Sequence, residues 1–294
     1  MDRRFPVVPF DPQLFAPFFG AEARQLDPTL LTQGACNSNY LVDSPDHGRV
    51  VCRIHQRGNP LLERHLTNLV SNTVPVPKYL WVGEGVSVQS YIEGQPFQPT
   101  PTLLQEAGKI IGRLAKISLP GSGAIFPDGI VKKFEAWPSF GTGISSLLET
   151  PSVLNFLDRP TIIQLHDILA THFEILSGFD RCHNLVHGDF GPNNILISGD
   201  NIVGILDWEF AHSGCSYMDI GNLLRHLPEN SSAHLAKGLK AEGYDLPPDW
   251  RYRSQLMDLA SHLEFLTSTL SHSFKMACVN RIQNFINLSQ SLQH

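Results

Sequence analysis

Asp189, Asn194 and Asp207 are the side chains of this chain whose types and spacing suit chemistry. His187-Gly188-Asp189 precedes Asn194 by a few residues, and two short apolar runs follow, Ile195 to Ile197 and Ile202 to Leu206. A Gly199-Asp200-Asn201 turn separates the runs, and the second ends at Asp207-Trp208-Glu209. Apolar runs around such a turn predict a β-hairpin. A hairpin lays its flanks side by side, so two carboxylates and an amide converge at its open end. That donor set suits Mg²⁺ carrying nucleotide phosphates, because Mg²⁺ takes oxygen ligands and shares them with its substrate.

His-x-Asp-x-x-x-x-Asn, with a second Asp eighteen positions after the first, resembles the catalytic loop and metal-binding Asp of the protein-kinase-like fold. The glycine after His187 and the Asp-Trp-Glu at 207–209 resemble the aminoglycoside phosphotransferase branch, which also holds kinases for choline, homoserine, thiamine and sugars. The resemblance implies an α+β, bilobal fold. Residues 1–94 would form a small antiparallel β-sheet N-lobe with a hinge near 89–94, and residues 95–294 a larger, mainly helical C-lobe. It implies Asp189 as the catalytic residue that takes or orients the acceptor proton, and Asn194 and Asp207 as ligands of Mg²⁺. Arg53 would cradle the phosphates of ATP (or GTP), with Glu63 holding Arg53. Gly34 and Asn37, in a Gly-x-x-Asn-x-x-Tyr spacing that ends at Tyr40, would lie over those phosphates. Ser90, Tyr91 and Ile92 would offer backbone to the adenine edge. His187 and Asp219 would organise the loop by hydrogen bonds.

The elements needed to position these residues are legible in the pattern. Residues 1–28 mix aromatics with prolines and predict a short helix on the first lobe. From Leu30 to about Ile92 short apolar runs predict strands: Leu31 to Gln33, Asn39 to Val42, Arg49 to Ile54, Lys78 to Val82 and Val86 to Tyr91. Asn59 caps a helix with Pro60 in its first position. After the hinge the period changes to about 3.6, with Leu104, Ala107, Ile111 and Leu114 on one face. Residues 120–160 are rich in Pro and Gly and predict a long irregular segment beside the acceptor. Ile162, Leu165, Leu169, Phe173 and Leu176 predict one buried helix from Pro160 to Gly178. Leu256, Leu259, Ala260, Leu263 and Leu270 predict amphipathic helices near the end.

Composition bounds the rest. A chain of 294 residues with 42% hydrophobic content supports a substantial core. A net charge of −6 argues against nucleic acid, which needs clustered Lys and Arg. Five scattered cysteines without a Cys-x-x-Cys pair predict reduced thiols, and Pro and Asp interrupt the apolar start before a signal core forms. The expectation is a cytoplasmic enzyme without membrane, nucleic-acid or obligate protein partner. Its partner would be a small hydroxylated acceptor, an aminoglycoside-type antibiotic or a metabolite such as choline, homoserine, thiamine or a sugar. Glu209, Asp258 and Glu264 are the candidate acids for a polycationic acceptor. From another class, His187 and Asp189 with His234 or His262 could form the two-His-one-carboxylate triad of an iron oxygenase.

Overall fold

Alternating burial between Thr29 and Ser90 builds a single antiparallel sheet. The protein is described here by a computed structural model covering residues 5–32 and 36–292. Gly34 and Gln33 lie outside the described residues. The five strands are β1 (Thr29–Leu31), β2 (Ser38–Ser44), β3 (Gly48–Ile54), β4 (Tyr79–Gly83) and β5 (Val86–Ser90), in the order β1-β2-β3-β5-β4. Tyr40, Val42, Val50, Cys52 and Val88 point to one side and meet Phe15 and Phe19 of helix α1 (Pro12–Phe19) in a first apolar core. Helix α1 is the short helix expected at the start of the chain, capped by Asp11, which accepts the Gln13 N–H.

Helix α2 (Pro60–Val70) leaves β3 through the cap the sequence predicts, with Asn59 accepting the N–H groups of Leu61 and Leu62. Its Leu66 and Val70 do not join the core of the sheet. They pack in a second, larger core with the helices that follow.

That core is built on α3 (Pro101–Ala115), which follows the short strand β6 (Gln95–Pro96) and buries Leu104, Ala107, Ile111 and Leu114 as its period requires. Residues 120–160 are more ordered than their composition predicts: they contain β7 (Gly123–Ile125), β8 (Val131–Lys132), α4 (Phe140–Leu148) and α5 (Pro151–Leu154). The single buried helix expected next is two helices, α6 (Arg159–Thr171) and α7 (Phe173–Asp180). His172 leaves the helical backbone at φ −103°, ψ 25°, so Phe173 is turned out to 64% exposure and Gly178 falls inside α7.

After β9 (Asn184–Val186) the expected hairpin forms from β10 (Ile195–Ser198) and β11 (Asn201–Ile205), with Ile195 opposite Ile205 and β6 added along β10. Strand β12 (His212–Gly214) pairs with both β7 and β9. Helices α8 (Tyr217–Leu224), α9 (Ser232–Ala241), α10 (Trp250–Thr267) and α11 (His272–Ser291) complete the fold, with Leu270 in the turn between the last two. No described helix is long and apolar enough to cross a membrane.

Helices α3 and α9 approach backbone to backbone. A Cβ at Gly238 would collide with the Gln105 carbonyl oxygen, and one at Gly108 with that of Leu235. Only glycine fits there. Gly238→Ala is expected to cost roughly 1–3 kcal/mol of stability by overpacking. The loss is read as a lower urea midpoint at unchanged m-value, and an unchanged midpoint would refute the close approach.

Candidate active site

The turn after β9 is shaped by a glycine and anchored by an acid. Gly188 sits at φ 81°, and a Cβ there would collide with the Phe210 carbonyl oxygen, so the residue after His187 has to be glycine. Buried Asp219, in the first turn of α8, accepts the N–H of His187 and of Gly188, each at 2.9 Å. Burial pushes the Asp219 carboxyl up, against the pull of His187 and the two amides. One helical turn on, Asn222 donates to the Gly188 carbonyl at 2.9 Å and accepts from Arg225 at 2.6 Å. Arg225 in turn forms a two-pronged ion pair with Asp258 of α10, whose carboxylate also lies 3.2 Å from His262 Nε2. Burial would raise Asp258, but Arg225 and then His262 hold it well below the carboxylate range. The loop is thus tied through α8 to α10.

His187 is a scaffold residue. Its Nε2 lies 2.9 Å from the Leu206 carbonyl oxygen and its Nδ1 accepts the Asp189 N–H at 3.3 Å. Both ring nitrogens are engaged within the loop, His262 is spent on Asp258, and His234 is exposed on α9. The two-His-one-carboxylate alternative is overturned by this geometry.

The structure brings Asp189 and Asn194 together. The Asn194 side-chain NH₂ donates to the Asp189 carboxylate at 2.8 Å and to the Asp189 main-chain carbonyl at 2.9 Å, and the Asn194 main-chain carbonyl accepts the Leu206 N–H at 2.8 Å. The hairpin therefore sets Asn194 beside the residue before Asp207. Asp207 adopts a left-handed backbone, φ 63°, ψ 70°. It is the only non-glycine with positive φ among the described residues, and strain of this kind gathers at functional sites.

Arg53 crosses to this acid from the sheet. Its Nη2 lies 2.8 Å from Asp207 Oδ1, and its Nη1 lies 3.4 Å from Glu63 Oε2 on α2. Glu63 also accepts the Tyr79 hydroxyl at 2.9 Å. The Arg53 and Glu63 side chains are 9% and 2% exposed, Asp207 35%. Burial pushes the Glu63 carboxyl up despite Arg53. At Asp207 burial acts the same way, but the charge and hydrogen bond of Arg53 outweigh it and hold the carboxyl below its ordinary value.

The remaining expected residues divide by what their polar groups already do. The Asn37 side-chain oxygen accepts the N–H of Gln56 and Arg57 at 2.9 and 3.0 Å, tying the turn after β1 to the end of β3. Ser90 and Tyr91 spend their amides on the carbonyls of Lys78 and Arg49, whereas the Ile92 amide forms no such bond among the described residues. Glu209, beside Arg57 at 3.8 Å, is pushed up to about 7 by burial and then by Asp207. Buried Asp258 is committed to Arg225, and Glu264 is exposed on α10. The three candidate acids form no cluster. Tyr79, His55, Asn222 and Arg225 were not legible as site residues; only Asn222, one turn after Asp219, carried a spacing signal.

Among the described residues no three His, Cys, Asp or Glu side chains converge as a metal site. The oxygens fit Mg²⁺ nonetheless. Asn194 has committed its NH₂ and keeps its side-chain oxygen, and Asp207 has one oxygen engaged by Arg53 and one remaining. One carboxylate and one amide, completed by substrate phosphates and water, is an ordinary Mg²⁺ complement.

Comparison with known proteins places the family and the fold. The model of the phosphotransferase enzyme family matches residues 27–256. The chain is 25% identical to hygromycin-B 4-O-kinase of Escherichia coli, over 53% of this chain and 49% of that protein. It is 24% identical to homoserine kinase of Zymomonas mobilis subsp. mobilis, over 62% of this chain and 58% of that protein. It thus spans about half the length of the curated relatives it matches. A solved aminoglycoside phosphotransferase, APH(4)-Ia with ADP and hygromycin B, superposes with a TM-score of 0.70 at 18% identity, over 94% of this chain and 97% of that one. The fold is the bilobal, protein-kinase-like α+β architecture.

One neighbour of the Arg53 cluster sets a pH dependence. The His55 side chain is 2% exposed, 2.9 Å from Ser87 Oγ and 3.6 Å from Glu63. Burial, then the charge of Arg53, pushes its imidazole down to about 3. The folded state keeps His55 neutral while the unfolded chain protonates it near its ordinary 6.5. Its stability contribution is therefore complete above pH 6.5 and is lost as pH falls toward 3, with a slope of up to about 1.4 kcal/mol per pH unit. His55→Gln should flatten that limb in urea titrations run from neutral pH down to about pH 4. Equal slopes in the two proteins would overturn the assignment.

Proposed function

The chain belongs to the phosphotransferase enzyme family, and from that membership we propose that it moves the γ-phosphate of ATP or GTP to a hydroxyl of a small molecule. The observation that carries this reading is the pairing of Asp189 with Asn194 beside the Arg53–Asp207–Glu63 cluster. Phosphoryl transfer runs through a loose transition state, so the protein mainly positions groups and balances charge. In this reading Asp189 takes or orients the proton of the acceptor hydroxyl, while its hydrogen bond from Asn194 fixes the carboxylate. Arg53 presents a planar fork that matches phosphate oxygens, and Glu63 with Tyr79 keeps that fork in place. Asn194 and Asp207 would hold Mg²⁺, which when bound offsets the charge of the triphosphate. The uncommitted amide of Ile92 is the best-placed backbone donor for the adenine edge. Residues 1–94 would act as the nucleotide lobe and 95–294 as the acceptor lobe, in a cytoplasmic enzyme.

The curated relatives phosphorylate an antibiotic in one case and an amino-acid alcohol in the other by name, which supports a small hydroxylated acceptor. The test is release of ADP or GDP, with Mg²⁺, across antibiotics and metabolic alcohols. At least one acceptor should be turned over. Asp189→Ala should then lower kcat by about 10²- to 10⁴-fold, and Asp207→Ala should abolish turnover, both with the thermal transition retained. Substantial activity in either variant would count against these roles.

A further inference from the structure

A cavity of ≈ 270 Å³ lies between α8, α10 and α11. It adjoins the catalytic loop: Gly221 of α8 and Arg225 at its C-cap line it, and Asn222 between them holds the Gly188 carbonyl. His226, next along the chain, lies beside Gly191 of the loop. The lining is cationic. Arg225, Arg251 and Arg281 contribute to it, and the one carboxylate among the described lining residues is Asp258. Arg225 and Asp258 neutralise each other. Arg251 is exposed at the rim and Arg281 half-buried beside Cys278, and neither forms an ion pair with a described residue. The wall also holds His262, more than nine-tenths buried, whose Nδ1 has no hydrogen-bond partner.

From this arrangement we infer that the cavity binds a carboxylate or phosphate group of the acceptor, so that the substrate is a hydroxylated acid and not a polycationic antibiotic. The inference rests on the kinase reading above. Two guanidiniums without counter-ions favour an anion, to which they give charge-assisted hydrogen bonds. A polycation would meet two like charges and a single acid already spent on Arg225. The volume suits a group of metabolite size, and Asn222 and His226 connect the helix lining it to the loop that carries Asp189. The depressed imidazole of His226, pushed down to about 4 by burial and then by Arg225 and Arg281, agrees with a positive potential on that path.

Two measurements separate this inference from the function it deepens. In the release assay, hydroxy acids and sugar phosphates should outperform neutral and polycationic alcohols. For the best acid, Arg251→Ala/Arg281→Ala should raise the acceptor KM roughly 10- to 100-fold, the size expected for lost charged hydrogen bonds, while the KM for Mg-ATP stays unchanged. Arg251→Lys/Arg281→Lys should recover part of the loss. A polycationic or neutral alcohol as best acceptor, or an unchanged KM in the alanine variant, overturns the inference and leaves the kinase reading standing. The second measurement is calorimetric titration with inorganic phosphate, independent of turnover. The alanine variant should bind about tenfold more weakly than the parent protein. Equal affinity overturns the anion site even if no nucleotide is ever turned over, an outcome that would defeat the kinase reading separately.

Discussion

Among the described residues Arg53 is the one cation paired with both Glu63 on α2 and Asp207 after the β10–β11 hairpin, two acids far apart in sequence. Desolvating three charges is costly, and such a cluster is tolerated only when each charge has a partner. Tyr79 supplies the missing hydrogen bond to Glu63, and His55 stays neutral beside it. Removing Arg53 would leave two carboxylates facing each other, so the geometry of Asp207 depends on a strand residue far away in sequence. The left-handed backbone of Asp207 becomes intelligible in this light. A residue placed by a strong external partner can hold a conformation it would not choose alone.

The loop from His187 to Asn194 is held by a second, independent arrangement. Asp219 collects the amides of His187 and Gly188, and Asn222 binds the Gly188 carbonyl, so the backbone polar groups of the turn are satisfied by one face of α8. Arg225 and Asp258 extend that support into α10. The loop is therefore anchored to the helical core behind it, and Asp189 and Asn194 are placed by that anchorage.

What the sequence disclosed follows from the range of the interactions. The hairpin, the Asn59 cap and the face of α3 are written in local spacing, and they appear where that spacing puts them. The Asp189, Asn194 and Asp207 pattern was readable because a two-stranded turn converts sequence distance directly into proximity. Strands β7 and β8 were hidden because they are only a few residues long and owe their existence to β12, some ninety positions downstream. The break at His172 was hidden for a different reason: the apolar period runs on through Phe173, and only the tertiary packing turns that ring outward. Tyr79 and His55 reach Glu63 across the sheet, a contact no periodicity encodes.

Helix α2 belongs by its apolar face to the helical core, through Leu66 and Val70, yet its Glu63 reaches into the sheet. Helix α2 therefore joins the two cores, with its apolar face packed in one and its buried acid paired at the edge of the other. The Arg53–Glu63 contact lies at that junction. The guanidinium spans Glu63 on that helix and Asp207 after the hairpin, so the charge environment of Asp207 depends on how the sheet is seated on α2.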